Sequence, residues 1–361
     1  MFTVDIIKAE TWILRLPFVR TSRDFDDAHH ELIGVTLHTA PGAIGTGFCF
    51  VTDHGGGVAV KALLDDVLLP RLNGRSVYDT KRIWHELWVL THRMGHGINS
   101  FAIAAIDIAL WDLRAQHNGH SLARELGQVW DTVPAYGSGK ASPLLSVDEL
   151  VELSVGYVAE GFGAVKLRVG MEPEADVSRV RAVRDAVGDD VRIMCDANER
   201  LDLPTAMWLG RRLADLDIYW FEEPVVSDDI GAHQRLAQAL PMPIVGGEHL
   251  CSAREFVPFV TAHALDVLQP NVAMVGGITE VMRVGELASA HGLGFAPHFL
   301  SELHIHVAAA LDNTTYLEFF PFLDEYVEVP LRAENGRVVV PDRPGHGIQF
   351  QEWVWDRYRT A

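Results

Sequence analysis

Between residues 133 and 320 short apolar runs recur roughly every 22–30 residues: VPAYG (133–137), AVKLRV (164–169), VRIMCD (191–196), IYWFEE (218–223), PIVGGE (243–248), DVLQP (266–270), LGFAPH (293–298) and TYLEFF (315–320). The gaps hold amphipathic stretches such as VDELVELSVGYVAEG and ITEVMRVGELASAHG, whose apolar residues repeat at helical spacing. Strands alternating with helices at this pitch predict βα units on a parallel sheet. Eight such runs predict closure into a TIM-like (β/α)₈ barrel with a curtailed eighth helix. The alternative is an open doubly wound sheet. It normally carries a glycine-rich phosphate turn after its first strand, and PAYGSGKASP lacks GxGxxG.

The first 130 residues follow another rhythm. Residues 3–19 and 32–50 alternate or run apolar, as antiparallel strands do, and the polar TSRDFDDAHH (21–30) predicts a loop between them. From Val58 to Gly127 the pattern turns helical, and SFAIAAIDIALWDLRAQ (100–116) is apolar almost all round, which predicts a buried helix. Asp107 and Asp112 inside it read as caps or helix-packing partners. The tail from Leu331 returns to strand and turn character. The expected division is an α+β capping domain over 1–130, a barrel over 131–325, and a C-terminal segment over 326–361 that packs back on the cap.

Composition narrows the function. With 30 Lys plus Arg against 49 Asp plus Glu, the formal charge is −19. Such a surface repels phosphate backbones, so no nucleic-acid partner is expected, and an anionic substrate needs a locally positive pocket. Three cysteines without a CxxC pair suit neither a disulfide scaffold nor a zinc cluster. The N-terminus lacks a basic, then apolar, leader, and no run of 18 apolar residues occurs, so a cytoplasmic protein without a membrane segment is expected.

In a barrel the chemistry sits at the C-terminal ends of the strands. Those ends carry Lys166 and Arg168, Asp196 and Asn198, Glu222, Glu248, Asn271, His298 and Glu318 in strand order. Asp196, Glu222 and Glu248 are 26 residues apart each time, one strand step, so they point from adjacent strands at one centre. A salt bridge explains any one of them equally well. Three together repel unless a cation lies between them, and oxygen-only ligation favours a hard ion, Mg²⁺. Lys166 and Arg168 share one strand face and suit a substrate carboxylate, or else serve as counter-charge for the acids. His298 lies across the barrel from Lys166 by strand count. Arg23 in the 20–30 loop, with Ser138 and Lys140 after the first barrel strand, are further candidates for substrate contact.

At these motifs the chain resembles the enolase superfamily and, within it, the mandelate racemase subgroup. The resemblance spans nearly the whole sequence: AAIDIALWDL, GAVKLRVG, IMCDANE, WFEEP, GGEHL, the histidine of APHFL, and PDRPGHGI. It implies one Mg²⁺ on Asp196, Glu222 and Glu248, a small carboxylate substrate, removal of the proton α to the carboxylate, and an enediolate stabilised by a hydrogen bond donated by Glu318. It also suggests a homo-oligomer.

Two positions depart from the family pattern. The second lysine of the usual KxK pair is Arg168, which stays protonated and makes a poor base. The aspartate that normally pairs with the histidine is Asn271, which orients His298 without supporting an imidazolium. No lysine stands on strand six. Two-base racemisation is therefore disfavoured, and a one-base design remains. In it His298 takes the α-proton or protonates a departing β-hydroxyl, or Lys166 acts as base with its pKa lowered by Arg168. Both arrangements suit dehydration of a sugar acid to a 2-keto-3-deoxy acid. Epimerisation or lactone isomerisation is the alternative reaction, and a non-catalytic metal and ligand binder is the alternative class.

Overall fold

The structure, a computed structural model, describes residues 4–17, 29–40, 42–52, 55–139 and 141–360. The chain opens with an antiparallel sheet of β1 (Ile6–Pro17), β2 (His29–Thr39) and β3 (Ile44–Val51). Residues 29 and 30, assigned above to the loop, begin β2, because their backbone pairs with Pro17 and Leu16. The single apolar stretch over 32–50 is two strands joined at a turn. Against this sheet lies the helix Ile98–His117, buried at every position from Asn99 to Leu113 except Phe101. The helix approaches closely because β3 offers glycines: a Cβ on Gly47 would stand 2.3 Å from the Ala105 carbonyl oxygen.

Both acids of that helix are packing acceptors. Asp107 accepts from the Thr279 N–H at 2.8 Å and from Thr279 Oγ1 at 2.6 Å, and Trp111 Nε1 donates to the same hydroxyl at 2.9 Å. Thr279 belongs to the helix Ile278–Ala290 of the second domain, so this clasp joins cap to barrel. Asp112 accepts from the Thr46 N–H of β3 and the His346 N–H of the tail, at 2.9 and 3.0 Å.

The second domain is a barrel of parallel strands: β4 (Thr132–Gly137), β5 (Ala164–Arg168), β6 (Arg192–Asp196), β7 (Trp220–Glu222), β8 (Ile244–Gly246), β9 (Val267–Leu268), β10 (Gly294–Phe295) and β11 (Leu317–Phe319). The ladder runs unbroken from β10 through β4, and β11 pairs with β4. Contrary to the expected closure, no ladder joins β10 to β11 among the described residues. Their link is a bridge of Phe295 with Thr314, where the Phe295 N–H donates to Asn313 O at 3.1 Å and the Thr315 N–H to Phe295 O at 2.8 Å. The polar side chains before β11 are engaged elsewhere: Asn313 Nδ2 donates to the carbonyls of Gly285 and Leu293, and Thr314 Oγ1 to that of Ala308. Inside the barrel Tyr136, Ala164, Met194, Trp220, Val245, Val267 and Ala296, one per strand, form a floor.

The tail divides its attachments, which corrects the expectation that all of it returns to the cap. The hairpin of β12 (Ala333–Glu334) and β13 (Arg337–Val339) adds antiparallel to β4, with Val338 opposite Val133. From Gly345 on, the tail reaches the cap: Gly345 exchanges backbone bonds with His120 and Leu122, His346 meets Asp112, β14 (Arg359–Thr360) pairs with β1 and Trp355 meets Trp12 edge-on at 5.0 Å. The start of β4 offers an unpaired backbone edge, and satisfying it outweighs keeping the tail together.

The clasp makes stability pH-dependent. Burial pushes the Asp107 carboxyl up from its ordinary 3.8 to about 7, against the pull of Thr279. The folded form therefore binds this proton more tightly than the unfolded chain. The corresponding stability is full below about pH 4 and is lost as pH rises through about 7. Thr279→Val, which leaves Asp107 Oδ1 unpaired, is expected to cost about 1–3 kcal/mol in thermal or urea unfolding. Asp107→Asn should flatten this acid-to-neutral component of the melting profile, and an unchanged profile would exclude the assignment.

Candidate active site

Side chains alternate along a strand, so the residue two past each floor position re-enters the barrel one layer higher. Tyr136, Ala164, Met194, Trp220, Val267, Ala296 and Tyr316 are thus followed by Ser138, Lys166, Asp196, Glu222, Gln269, His298 and Glu318. All but His298 are at most 1% exposed. Six of the seven are residues expected from the sequence. Gln269 was missed because the strand-six position was read at Asn271, although its place two past Val267 was readable. Among the described residues its Oε1 and Nε2 have no hydrogen-bond partner, so a fully buried amide faces the site unsatisfied.

Lys166 is the hub. Its Nζ lies 2.7 Å from Glu222 Oε1, 2.8 Å from Glu318 Oε1 and 3.4 Å from Asp196 Oδ2, with the Tyr136 ring centroid 5.5 Å below. Arg168 pairs with Asp196 Oδ2 and reaches Glu318 Oε1 at 4.0 Å. Asn198 holds Asp196 from the other side, its N–H donating to Oδ1 at 2.8 Å, and Trp220 Nε1 donates to Glu222 Oε2 at 3.0 Å. Burial pulls the Lys166 pKa down most strongly and Arg168 adds to that, yet Glu222 and Glu318 push harder and the net shift is upward. The expectation that Arg168 would bring Lys166 near neutrality is thus corrected. Carboxylates at contact distance outweigh one like charge.

Glu318 also departs from its implied role as a proton-bearing donor. Its Oε1 accepts from Ser138 Oγ at 2.7 Å and faces Lys166, while Oε2 accepts from the Phe299 N–H at 2.7 Å. Burial alone would raise its pKa, but Lys166, then His298 and Arg168, hold it far below the carboxylate range. Both oxygens are acceptors. On the far side His298 Nε2 lies 3.9 Å from Glu318 Oε2 and 3.2 Å from Glu248 Oε2, and Asn271 Nδ2 donates to His298 Nδ1 at 3.1 Å. Burial drives the His298 pKa well down.

The three expected metal acids are buried, at 0% for Asp196 and Glu222 and 7% for Glu248. Asp196 and Glu222 face each other in register on β6 and β7. They close on Lys166 and Arg168, whereas Glu248 Oε2 makes no hydrogen bond among the described residues, and burial raises the Glu248 pKa. The described trio of acid or imidazole ligand atoms within 4.8 Å of one another is instead Glu199, Glu223 and His249, immediately beside them. Here His249 Nδ1 lies 3.1 Å from Glu223 Oε1, and despite burial these acids push the histidine up to about 10. Asn198, Glu199 and Glu223 sit at φ 44°, 61° and 40°, left-handed conformations that cost a non-glycine residue on the order of 1 kcal/mol or more.

The cap covers the mouth. Phe299, next to His298, packs on Phe50 of β3 at 4.8 Å and on His30 of β2 at 6.0 Å, and Phe320 and Phe322 complete the cluster. Arg23 and Lys140 lie outside the described residues.

A family model described as enolase C-terminal domain-like matches residues 149–354, and one for the mandelate racemase / muconate lactonizing enzyme N-terminal domain matches residues 3–127. The chain is similar to a 3,6-anhydro-alpha-L-galactonate cycloisomerase of Streptomyces coelicolor, 34% identical over 351 residues, 95% of this chain and 96% of the relative. It is also similar to an L-talarate/galactarate dehydratase of Salmonella typhimurium, 34% identical over 336 residues, 92% of this chain and 84% of the relative. A crystal structure of L-talarate dehydratase from Polaromonas sp. JS666, complexed with Mg and L-glucarate, superposes with a TM-score of 0.91 at 33% identity, covering 99% of this chain and 98% of that one.

Gln269→Leu tests the unsatisfied amide. An unpaired buried amide costs roughly 1–3 kcal/mol, so the melting temperature should hold or rise. Turnover should fall about tenfold, the worth of one lost hydrogen bond to substrate. Unchanged turnover would remove Gln269 from the site.

Proposed function

This chain belongs to the enolase superfamily, in its mandelate racemase subgroup, and we propose that it removes the proton α to the carboxylate of an acid sugar and expels the β-oxygen. The product is a 2-keto-3-deoxy acid. The observation that carries this reading is the charge inventory of the buried centre. Among the described residues Asp196, Glu222 and Glu318 face Lys166 and Arg168, while Glu248 faces only the imidazoles of His298 and His249, so four acids meet two permanent cations and formally leave two negative charges for other partners.

Such an excess suits one divalent ion, and the residues present fit it. Asp196, Glu222 and Glu248 offer oxygen only, as Mg²⁺ prefers, and among the described residues the buried Glu248 Oε2 lacks a hydrogen bond. When bound, the ion supplies positive charge for the substrate carboxylate and for the enediolate. Around it Arg168 and Lys166 give a carboxylate local positive charge in an otherwise acidic protein. Asn198 keeps Asp196 oriented, Ser138 and the Phe299 N–H fix Glu318, and Gln269 offers an amide to a hydroxyl. The aromatic cover excludes water, where electrostatic stabilisation is strongest.

Lys166 and His298 flank opposite oxygens of Glu318, an arrangement that suits them to the α-proton and the β-oxygen of a substrate held between them. A β-oxygen that leaves as water makes the reaction a dehydration. A β-oxygen that belongs to a ring makes the same elimination a cycloisomerisation, the reaction named for the Streptomyces relative.

A panel of mono- and diacid sugars with Mg²⁺ and semicarbazide detection should yield a 2-keto acid, with Lys166→Ala slowing turnover about 10²–10⁴-fold. Silence across the panel, or full activity in both Lys166→Ala and His298→Asn, would overturn the reading. Mg²⁺ should also raise the melting temperature by mass action. Asp196→Asn or Glu222→Gln should abolish that rise and Glu199→Gln should preserve it. The reverse pattern would move the ion to the neighbouring trio.

A further inference from the structure

Both ends of the Asn271 amide are committed. Oδ1 accepts from the Ala273 N–H at 3.0 Å, capping the turn Val272–Val275, and Nδ2 lies 3.1 Å from His298 Nδ1. The backbone N–H of Ala273 can only donate, so it fixes which end of the amide is oxygen. The other end is then NH₂, with no lone pair to offer. His298 Nδ1 must therefore accept, and a neutral imidazole carries its one proton on Nε2. That nitrogen faces acceptors, with Glu248 Oε2 at 3.2 Å and Glu318 Oε2 at 3.9 Å.

The pair is braced from behind. His304 accepts from the Val272 N–H at 3.0 Å through Nε2, and its Nδ1 lies 2.5 Å from the Phe299 carbonyl. It thus ties the residue after Asn271 to the residue after His298. Asn271, His304 and Glu318 are all 0% exposed, so water does not compete for these bonds.

We propose that Asn271 is a positioning residue that locks His298 in its neutral Nε2–H tautomer, making the imidazole a hydrogen-bond donor to the substrate's β-oxygen and not a base toward carbon. The inference rests on the elimination proposed above. Without a lone pair on Nε2 the imidazole takes no α-proton, and giving its own away would leave an imidazolate. Proton transfer falls to Lys166, whose free amine is the minor form while Glu222 and Glu318 hold its pKa up and becomes accessible once a divalent ion takes over the charge of Asp196 and Glu222. The C–H bond breaks, an N–H bond forms on Nζ, and the electron pair enters the enediolate. That pair then forms the C=C bond as the C–O bond breaks. The departing oxygen takes the proton back from the Lys166 ammonium, and His298 ends with the proton it began with. Removal and departure share one face, so the elimination is syn.

The test reads the ring directly. Ring-¹⁵N-histidine protein, loaded with Mg²⁺ at neutral pH, is compared with His298→Gln to assign the His298 signals. The expected spectrum has an unprotonated Nδ1 and a protonated Nε2. A proton on Nδ1, or on both nitrogens, would overturn the inference. Asn271→Asp keeps the cap on Ala273 but presents a carboxylate oxygen to the ring, so the proton should move to Nδ1 and free Nε2. In D₂O this variant should wash deuterium into the α-position of recovered acid sugar at least ~10-fold faster than wild type, and the added His298→Gln change should abolish the gain. An unmoved tautomer in Asn271→Asp would also sink the proposal. The spectrum needs no substrate, so the two readings fail separately. The expected tautomer with no 2-keto acid would refute the elimination alone, and turnover with an Nδ1–H ring would refute the tautomer lock alone.

Discussion

Four carboxylates and two cations buried at the strand ends of one barrel are the constraint from which the rest of this molecule follows. An isolated ion in such a place costs several kcal/mol, so no member of the set can be placed independently. Lys166 is fully buried and touches three acids, and each acid is held again from behind: Asp196 by Asn198, Glu222 by Trp220, Glu318 by Ser138 and the Phe299 N–H. Glu248 stands outside this arrangement: among the described residues its Oε2 makes no hydrogen bond, and burial raises its pKa. An arrangement that satisfies three acids with two cations and leaves the fourth unsatisfied is balanced for one more positive ligand, and this charge argument underlies the proposed metal.

The surrounding scaffold keeps that centre dry and fixed. Below, the floor residues Tyr136 and Trp220 are fully buried, and Trp220 also supplies an N–H to Glu222. Above, Phe299 meets cap residues Phe50 and His30, so the cap must sit at one distance from the barrel. The long buried helix sets that distance through Asp107 and Thr279, and glycines in β3 let it come close enough. A clasp remote from the reacting atoms therefore governs how tightly the aromatic cover closes.

Much of this was legible in the sequence, for identifiable reasons. Strand positions follow from apolar runs, and chemistry follows from what ends each run, so Lys166, Asp196, Glu222, His298 and Glu318 emerge from alternation alone. Gln269 obeys the same alternation but was passed over because the strand-six position was read at Asn271, beyond the proline that ends the apolar run. The ionisation of the set was not legible. Whether Arg168 lowers Lys166 or the acids raise it turns on contacts of 2.7 and 2.8 Å, and whether Glu318 donates or accepts depends on a backbone N–H nineteen residues away. The seam between β10 and β11 and the split tail escaped for a similar reason. Each depends on which backbone edge finds a partner, and periodicity carries no information about that.

The two departures from the family pattern, Arg168 and Asn271, read in the sequence as losses. Placed in the structure they act in one direction. Arginine at 168 supplies a charge that does not titrate, and an amide at 271 supplies a donor that cannot become an acceptor while Ala273 holds its oxygen. Each substitution removes one way for a proton to move, at opposite sides of Glu318. Among the groups that touch Glu318, Lys166 is then left as the side chain able to take up and release a proton under the proposed chemistry. Under the proposed chemistry, a site reduced in this way gives up the second face needed for racemisation. What it keeps is suited to a β-oxygen on the same face as the proton, where one amine can serve both.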